Sequence, residues 1–291
     1  MSGEALSGAV DGAALERLAV ELAVAAGGLV LHERPARVDV HRTKSTDLDV
    51  VTLMDTRSEE LLRSRLAAAR PHDAVLGEEG GGVAGTSGLT WVLDPIDGTV
   101  NYLYDLPAYA VSVAVVRGDP TVPGAWAPVA GAVASPRTGE LFHGRSGGGA
   151  WLSRLDGDGA LTPAEPERLA VTDADDLGQC LVATGFAYDR EARRGQAAML
   201  CDLLPRVRDV RRAGAAALDL CHVAAGRVDA YYERGVQPWD YAAGALLVLE
   251  AGGRVSGAAP GSPASGDMLV AGGPAAHAVL RAEVERLAPA L

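Results

Sequence analysis

Apolar residues first recur at helical spacing. Leu15, Leu18, Leu22, Ala25, Ala26 and Leu29 share one face of a 3.6-residue period, so residues 11–32 read as an amphipathic helix. A second helix is predicted over 56–69, with Leu61, Leu62 and Leu66 turned inward and Pro71 ending it. Short apolar runs at 74–76, 91–93, 110–116 and 129–134, flanked by turn residues, then predict strands. The stretch from Asp156-Gly-Asp-Gly to Thr162-Pro-Ala-Glu-Pro166 has turn and breaker chemistry, which predicts two domains, 1–155 and 156–291. Beyond it, strand patterns at 181–183, 207–210, 228–233 and 268–271 alternate with helical ones at 215–225, 241–251 and 275–287. Alternation of this kind implies an α/β layer architecture.

Charge and composition narrow the function. The 291 residues are 48% hydrophobic, ample for a core, and carry a formal net charge of -12. A negative surface disfavours nucleic acid, whose binding needs a basic face to displace counterions, and it disfavours anionic membrane. An anionic small substrate requires bound cations to reverse the local field. Cys180, Cys201 and Cys221 form no CxxC pair, and their odd number argues for a reducing, cytoplasmic compartment with the cysteines as buried small apolar residues. No signal peptide is expected. The longest apolar stretch, 242–249, lies between Asp240 and Glu250 and is far short of the roughly 20 residues a membrane span needs. The histidines show no ligand spacing and are expected at the surface or bonded within the core. Walker A, GxSxG and dinucleotide fingerprints are all missing, so kinase, serine hydrolase and dehydrogenase readings have no support.

Candidate chemistry gathers where strands end. In Trp91-Val-Leu-Asp-Pro-Ile-Asp-Gly-Thr-Val-Asn101 an apolar strand delivers Asp94 and Asp97 around a rigid Pro95. A lone Asp there would be a turn former or helix cap. Two carboxylates around a proline suit a hard cation, with the Ile96 carbonyl able to face the same side. Gly98 and Thr99 then open a helix whose free N–H groups and positive dipole end suit a phosphate. In Val75-Leu-Gly-Glu-Glu-Gly80, Glu78 is either a solvated acid beside a Gly-rich loop or a metal bridge that orients a water. Asp55 and Asp240 each precede a helical pattern and read as N-caps or as members of the same site; Lys44 reads as a surface charge. Brought together, these acids would repel one another unless cations neutralised them, which points to two or more Mg²⁺ ions.

These segments resemble the inositol monophosphatase family, and the resemblance covers most of the chain. Asp94-Pro-Ile-Asp-Gly-Thr99 with Asn101 is similar to the family's first signature. Trp239-Asp-Tyr-Ala-Ala-Gly244, reached through Val228-Asp-Ala-Tyr-Tyr-Glu233, is similar to its second. Gly77-Glu78-Glu79 and Asp49-Val-Val-Thr-Leu-Met-Asp55 fall in the family order. The resemblance implies an αβαβα sandwich of the inositol monophosphatase/fructose-1,6-bisphosphatase type, a homodimer, Mg²⁺ dependence with two or three ions per site, and inhibition by Li⁺. It implies Glu78, Asp94, Asp97, Asp240 and the Ile96 carbonyl as metal ligands. Thr99, paired with Asp55 and close to Glu78, would orient the attacking water without a phosphoenzyme, and Lys44 would support the metal loop. The N–H groups of Gly98 and Thr99 would hold the phosphate, while Asp97, Gly214, Ala216, Glu233 and Asp240 would contact the substrate.

The segments Ala183-Thr-Gly-Phe-Ala-Tyr-Asp189 and Arg212-Ala-Gly-Ala-Ala-Ala-Leu-Asp219 resemble bacterial and inositol-type members. Two positions depart from the pattern: Ala215 stands where relatives carry Ser or Thr, and Val100 replaces a frequent second Thr. The implied reaction is hydrolysis of inositol 1-phosphate to inositol and phosphate. The alternatives are fructose 1,6-bisphosphate, histidinol phosphate or 3′-phosphoadenosine 5′-phosphate as substrate, or a non-catalytic partner that retains the fold. An aromatic content of 4% speaks against a nucleotide.

Overall fold

The computed structural model describes residues 11–287. Helix α1 (Gly12–His32) starts on the Asp11 side chain, which accepts the N–H groups of Ala13 and Ala14, and leads to a small hairpin of β1 (Arg42–Thr43) and β2 (Val50–Val51). Helix α2 (Leu53–Ala69) follows, then β3 (Ala74–Gly77), β4 (Gly81–Val83) and β5 (Leu89–Asp97). A single turn of helix, α3 (Thr99–Leu103), separates β5 from β6 (Ala110–Gly118), β7 (Trp126–Ser135), β8 (Glu140–Arg145), β9 (Gly149–Arg154) and β10 (Glu167–Arg168). The remainder comprises β11 (Leu181–Thr184), α4 (Arg190–Leu203), β12 (Asp209–Arg211), α5 (Ala216–Ala224), β13 (Ala230–Glu233), α6 (Pro238–Glu250), β14 (Arg254–Ser256), β15 (Leu269–Gly272) and α7 (Pro274–Leu287).

Two sheets result. The first has the order β10-β9-β8-β7-β6-β5-β3-β4 and is antiparallel except between β3 and β5; the second, β12-β11-β13-β15-β14, is parallel where β11 meets its two neighbours. The side-chain alternation of the strands explains how they stack. Trp91, Leu93, Val111, Val113, Ala130 and Ala132 face α1 and α2, while Val92, Ala114, Val116 and Val133 face α5 and α6. Tyr231, Leu269 and Ala271 close that middle layer from the second sheet, and Val182, Tyr232 and Val270 pack outward with α4 and α7. The expected αβαβα sandwich is what forms, and a sheet covered on both faces has continuously buried central strands.

Several boundaries differ from the pattern-based expectation. Helix α2 begins at Leu53, and Thr52, not Asp55, is its N-cap; Asp55 sits at N3 and completes a capping box. Helix α6 begins at Pro238, so Asp240 is also an N3 residue, with Gln237 as the cap. Apolar periodicity misses α4 because only Gln196, Met199 and Leu203 are buried, a thin stripe in a polar segment. It also misses β8, β9 and β14. Cys180 and Cys221 are buried as expected, but Cys201 lies on the solvent face of α4 and is exposed. No described helix is long and apolar enough to cross a membrane.

Candidate active site

A cavity of about 410 Å³ opens where the C-terminal end of β5 meets the N-termini of α5 and α6. Its wall contains Lys44, Glu78, Asp94, Ile96, Asp97, Gly98, Thr99, Gly214, Ala216, Glu233 and Asp240, drawn from segments up to two hundred residues apart. Asp55 is the one sequence-predicted site residue that does not line it; Asp55 is buried behind Thr99.

Local backbone chemistry places the acids. The β5–β6 register is irregular between Asp94 and Asp97, because Pro95 has no N–H to give the ladder and the strand bulges there. Asp94 Oδ1 accepts the Ile96 N–H at 3.0 Å, which folds the bulge back on itself. Gly98 takes φ 89°, a left-handed turn that lets α3 begin at Thr99 directly after the last strand residue. Ala215 is the N-cap of α5 and has no side chain to cap with. Asp97 Oδ2 takes over that role, accepting the Ala217 N–H at 2.7 Å, so one candidate ligand is pinned by a helix from the other half of the molecule. Asp240 Oδ2 accepts the Gln237 N–H at 2.6 Å in its own capping box. Asn101 donates to the Ala108 carbonyl at 2.6 Å and to the Ala213 carbonyl at 2.8 Å, which holds the 212–216 segment against α3.

Carboxylate oxygens of Asp94, Asp97 and Asp240 all lie within 4.8 Å of one another. Glu78 adjoins Asp94 but is engaged by a cation: Lys44 Nζ is 2.7 Å from Glu78 Oε1 and 2.5 Å from Glu79 Oε1. The three aspartates have no such partner among the described residues. Burial, then repulsion from Glu78, Asp97 and Asp240, holds Asp94 well above the usual carboxylate range. Burial followed by repulsion from Glu78 and Asp97 does the same to Asp240. Asp97 is pushed up to about 7 by burial, against the Ala217 N–H that favours its charged form. Burial raises Glu233 to about 7 as well, although the Tyr231 hydroxyl donates to it at 2.7 Å. A buried set of hard oxygen donors this close together holds either protons or a hard cation, and it has the donor chemistry of a Mg²⁺ site.

Thr99 Oγ1 lies 3.1 Å from Asp55 Oδ1 and 3.0 Å from the Ile96 carbonyl, and its single hydrogen serves one or the other. Asp55 Oδ2 is fixed by the Thr52 N–H at 2.8 Å and the Thr52 hydroxyl at 2.5 Å. Burial raises Asp55 to about 7. Sequence reasoning misses Thr52, the N-cap of α2, and Ser58 and Glu59 on that helix, all buried. Their signal is spacing: 52, 55, 59, 62 and 66 form one helical face, so polar groups continue the stripe that Leu62 and Leu66 bury. None of the histidines lines the cavity; His143 bridges Glu16 and Ser153, and His277 bonds Ser256.

A pH dependence follows from the raised carboxyls. Each binds its proton more tightly in this site than in an unfolded chain, so below about pH 7 an incoming cation must displace protons. Isothermal titration of the ion-free protein should show Mg²⁺ affinity falling as pH drops, by roughly tenfold per pH unit for each proton displaced. A flat affinity between about pH 8 and 6 would mean that the acids are already ionised.

The chain is similar to known proteins along most of its length. The profile of the inositol monophosphatase family matches residues 12–289. An inositol-1-monophosphatase of Mycobacterium bovis is 47% identical over 250 residues, covering 84% of this chain and 81% of that protein. A protein named Nus factor SuhB from Xylella fastidiosa is 38% identical over 239 residues, covering 81% of this chain and 79% of its own length. Among solved structures, Mycobacterium tuberculosis SuhB superposes with a TM-score of 0.77 at 42% identity, covering 96% of this chain and 98% of that one.

Proposed function

The chain belongs to the inositol monophosphatase family of phosphatases, and from that premise we propose that it is a Mg²⁺-dependent phosphomonoesterase acting on inositol 1-phosphate. The observation that carries the reading is the convergence of Asp94, Asp97 and Asp240 beside the Gly98–Thr99 turn. Asp94, Asp97, Asp240, Glu78 and the Ile96 carbonyl would hold the ions. When bound, divalent cations lower the pKa of an attacking water and offset the charge that builds on the leaving oxygen.

The residues of the chain supply the rest. The N–H groups of Gly98 and Thr99 would hold the phosphate at the start of α3, where the backbone dipoles favour an anion. With its proton on Asp55, the Thr99 hydroxyl keeps its lone pairs free to accept a hydrogen bond from the water and so orient it. Asp55, raised to about 7 by burial, would take up the Thr99 hydroxyl proton near neutral pH as Thr99 Oγ1 receives one from the water. Glu233 and Asp97 offer acceptors to the hydroxyls of a polyol, and Gly214 and Ala216 leave room for its ring. Gly185 supports this wall, since a Cβ there would lie 2.1 Å from the Glu233 carboxylate. Lys44, through Glu78 and Glu79, would keep the metal loop in place. We place the enzyme in the cytoplasm, as a homodimer sensitive to Li⁺, on the family's precedent.

One observation favours a second substrate reading. Arg212 and Arg234 line the same cavity, and neither side chain has a hydrogen-bond or ion-pair partner among the described residues. Guanidinium groups without a partner suit a second phosphate. If they do, Arg212→Ala should lower kcat/KM for fructose 1,6-bisphosphate about tenfold more than for fructose 1-phosphate, close to 1.4 kcal/mol. Equal losses on the two substrates would leave the monophosphate reading alone. Phosphate release from a panel of inositol 1-phosphate, fructose 1,6-bisphosphate, histidinol phosphate and 3′-phosphoadenosine 5′-phosphate tests the main assignment. A leading rate on inositol 1-phosphate supports it; turnover of none of them, with Mg²⁺ present, would move a partner-binding role to the front.

A further inference from the structure

We propose that Glu59 is a positioning residue that sets the place of Glu78, and through it the site's affinity for divalent cations. Glu59 is 2% exposed on α2 and does not line the cavity. Its carboxylate is nevertheless fully engaged with the loop that carries Glu78. Oε2 accepts the Glu79 N–H at 2.8 Å, and Oε1 accepts the Gly80 N–H at 2.7 Å. Arg63 Nε donates to Oε1 at 2.7 Å, and Arg63 Nη2 reaches the Gly81 carbonyl at 2.5 Å.

The fit is tight on both sides of residue 78. A Cβ at Gly77 would lie 2.5 Å from Glu59 Oε1, and one at Gly80 would lie 2.7 Å from the same atom. The two glycines thus let the backbone close on the carboxylate, and Glu78 is bracketed between a steric contact and a pair of charge-assisted hydrogen bonds. The neighbouring Ser58 donates to the Pro95 carbonyl at 3.1 Å inside the β5 bulge. Two adjacent residues of one helix therefore hold the loop that carries Glu78 and the β5 bulge that carries Asp94, and the first turn of the same helix holds Thr99 through Asp55. A turn alone needs no buried carboxylate to close it. Fixing a ligand's backbone from behind is what outer hydrogen-bond partners do at metal sites, where losing one weakens the ion about 10–100-fold.

The inference rests on the reading of Glu78 as a metal ligand, and a double-mutant cycle separates the two. Mg²⁺ binding is measured by isothermal titration calorimetry on the full chain, without substrate, for wild type, Glu59→Gln, Glu78→Gln and the double variant, with thermal melts of each ion-free protein. The glutamine keeps the shape of Glu59 but presents an N–H to one of the two amides. The expected result is about tenfold weaker Mg²⁺ binding in Glu59→Gln and no further loss when Glu59→Gln is added to Glu78→Gln. Equal losses in both backgrounds, or a lowered melting point with unchanged Mg²⁺ affinity, would overturn the proposal. If Glu59→Gln does not fold, Glu59→Asp keeps the charge but is too short to span both amides, and the same cycle applies. A Glu78→Gln variant that binds Mg²⁺ as wild type does would overturn the ligand reading itself, and the proposal with it.

Discussion

Replacing Asp94 with asparagine should leave a folded protein whose Mg²⁺-dependent turnover falls by at least about a thousandfold, roughly 4 kcal/mol of transition-state stabilisation. Asp94 is 1% exposed at the bulge of β5, and its Oδ1 accepts the Ile96 N–H. Asparagine keeps that acceptor, so the bulge survives. What disappears is the charge, in a cluster where Asp94 faces Glu78, Asp97 and Asp240. Removing one of several mutually repelling acids should hold or raise the melting point of the ion-free protein, while weakening its response to Mg²⁺. Rates of phosphate release and melts with and without Mg²⁺ check both halves. A variant that keeps wild-type turnover would remove Asp94 from the ligand set, and one that simply unfolds would make its role structural.

Gly98→Ala should be strongly destabilising. Gly98 holds φ 89°, which an L side chain adopts at a cost of roughly 1–2 kcal/mol. An added Cβ would also lie 2.8 Å from the Ala108 carbonyl and 3.2 Å from the Ala215 Cβ, both in packed segments around the site. Strain and collision together should reach about 3 kcal/mol, a fall in Tm of roughly 6–12 °C. Gly252→Ala is the control: it holds φ 88° with nothing near its would-be Cβ, so only the backbone strain applies. A calorimetric scan that found the two variants equally stable would show that the tight fit around Gly98 yields. Because Gly98 joins Asp97 to Thr99, its variant should lose activity as well.

The candidate site was readable from the sequence where one short segment holds several groups. The run Asp94-Pro-Ile-Asp-Gly-Thr99 carries its geometry in its own residues: a proline that breaks the ladder, a glycine that turns left-handed, and a threonine that starts a helix. Asp55 and Asp240 were harder, since a capping acid at N3 and an N-cap acid look alike in sequence, and the choice depends on whether Thr52 and Gln237 cap first. The capping of α5 by Asp97 could not be read at all. It joins residues 120 positions apart, and only the packing of α5 against the end of β5 brings them together. Glu59 was hidden for a similar reason: a glutamate on a helix reads as solvated until the loop after β3 closes over it. Alternation beyond residue 166 pointed to α/β layers, while the αβαβα order came from the family resemblance; strands covered on both faces lie between helices.

On the proposed reading, the acid cluster at the end of β5 binds Mg²⁺ to cleave a polyol monophosphate. Phosphate release from inositol 1-phosphate, followed as Mg²⁺ is titrated into metal-free protein, tests it most directly. No release without the ion, and a saturable rise on its addition that outpaces the other phosphates of the panel, are the expected results. Release at the same rate in the presence of a chelator, or no release at any Mg²⁺ concentration, would contradict it.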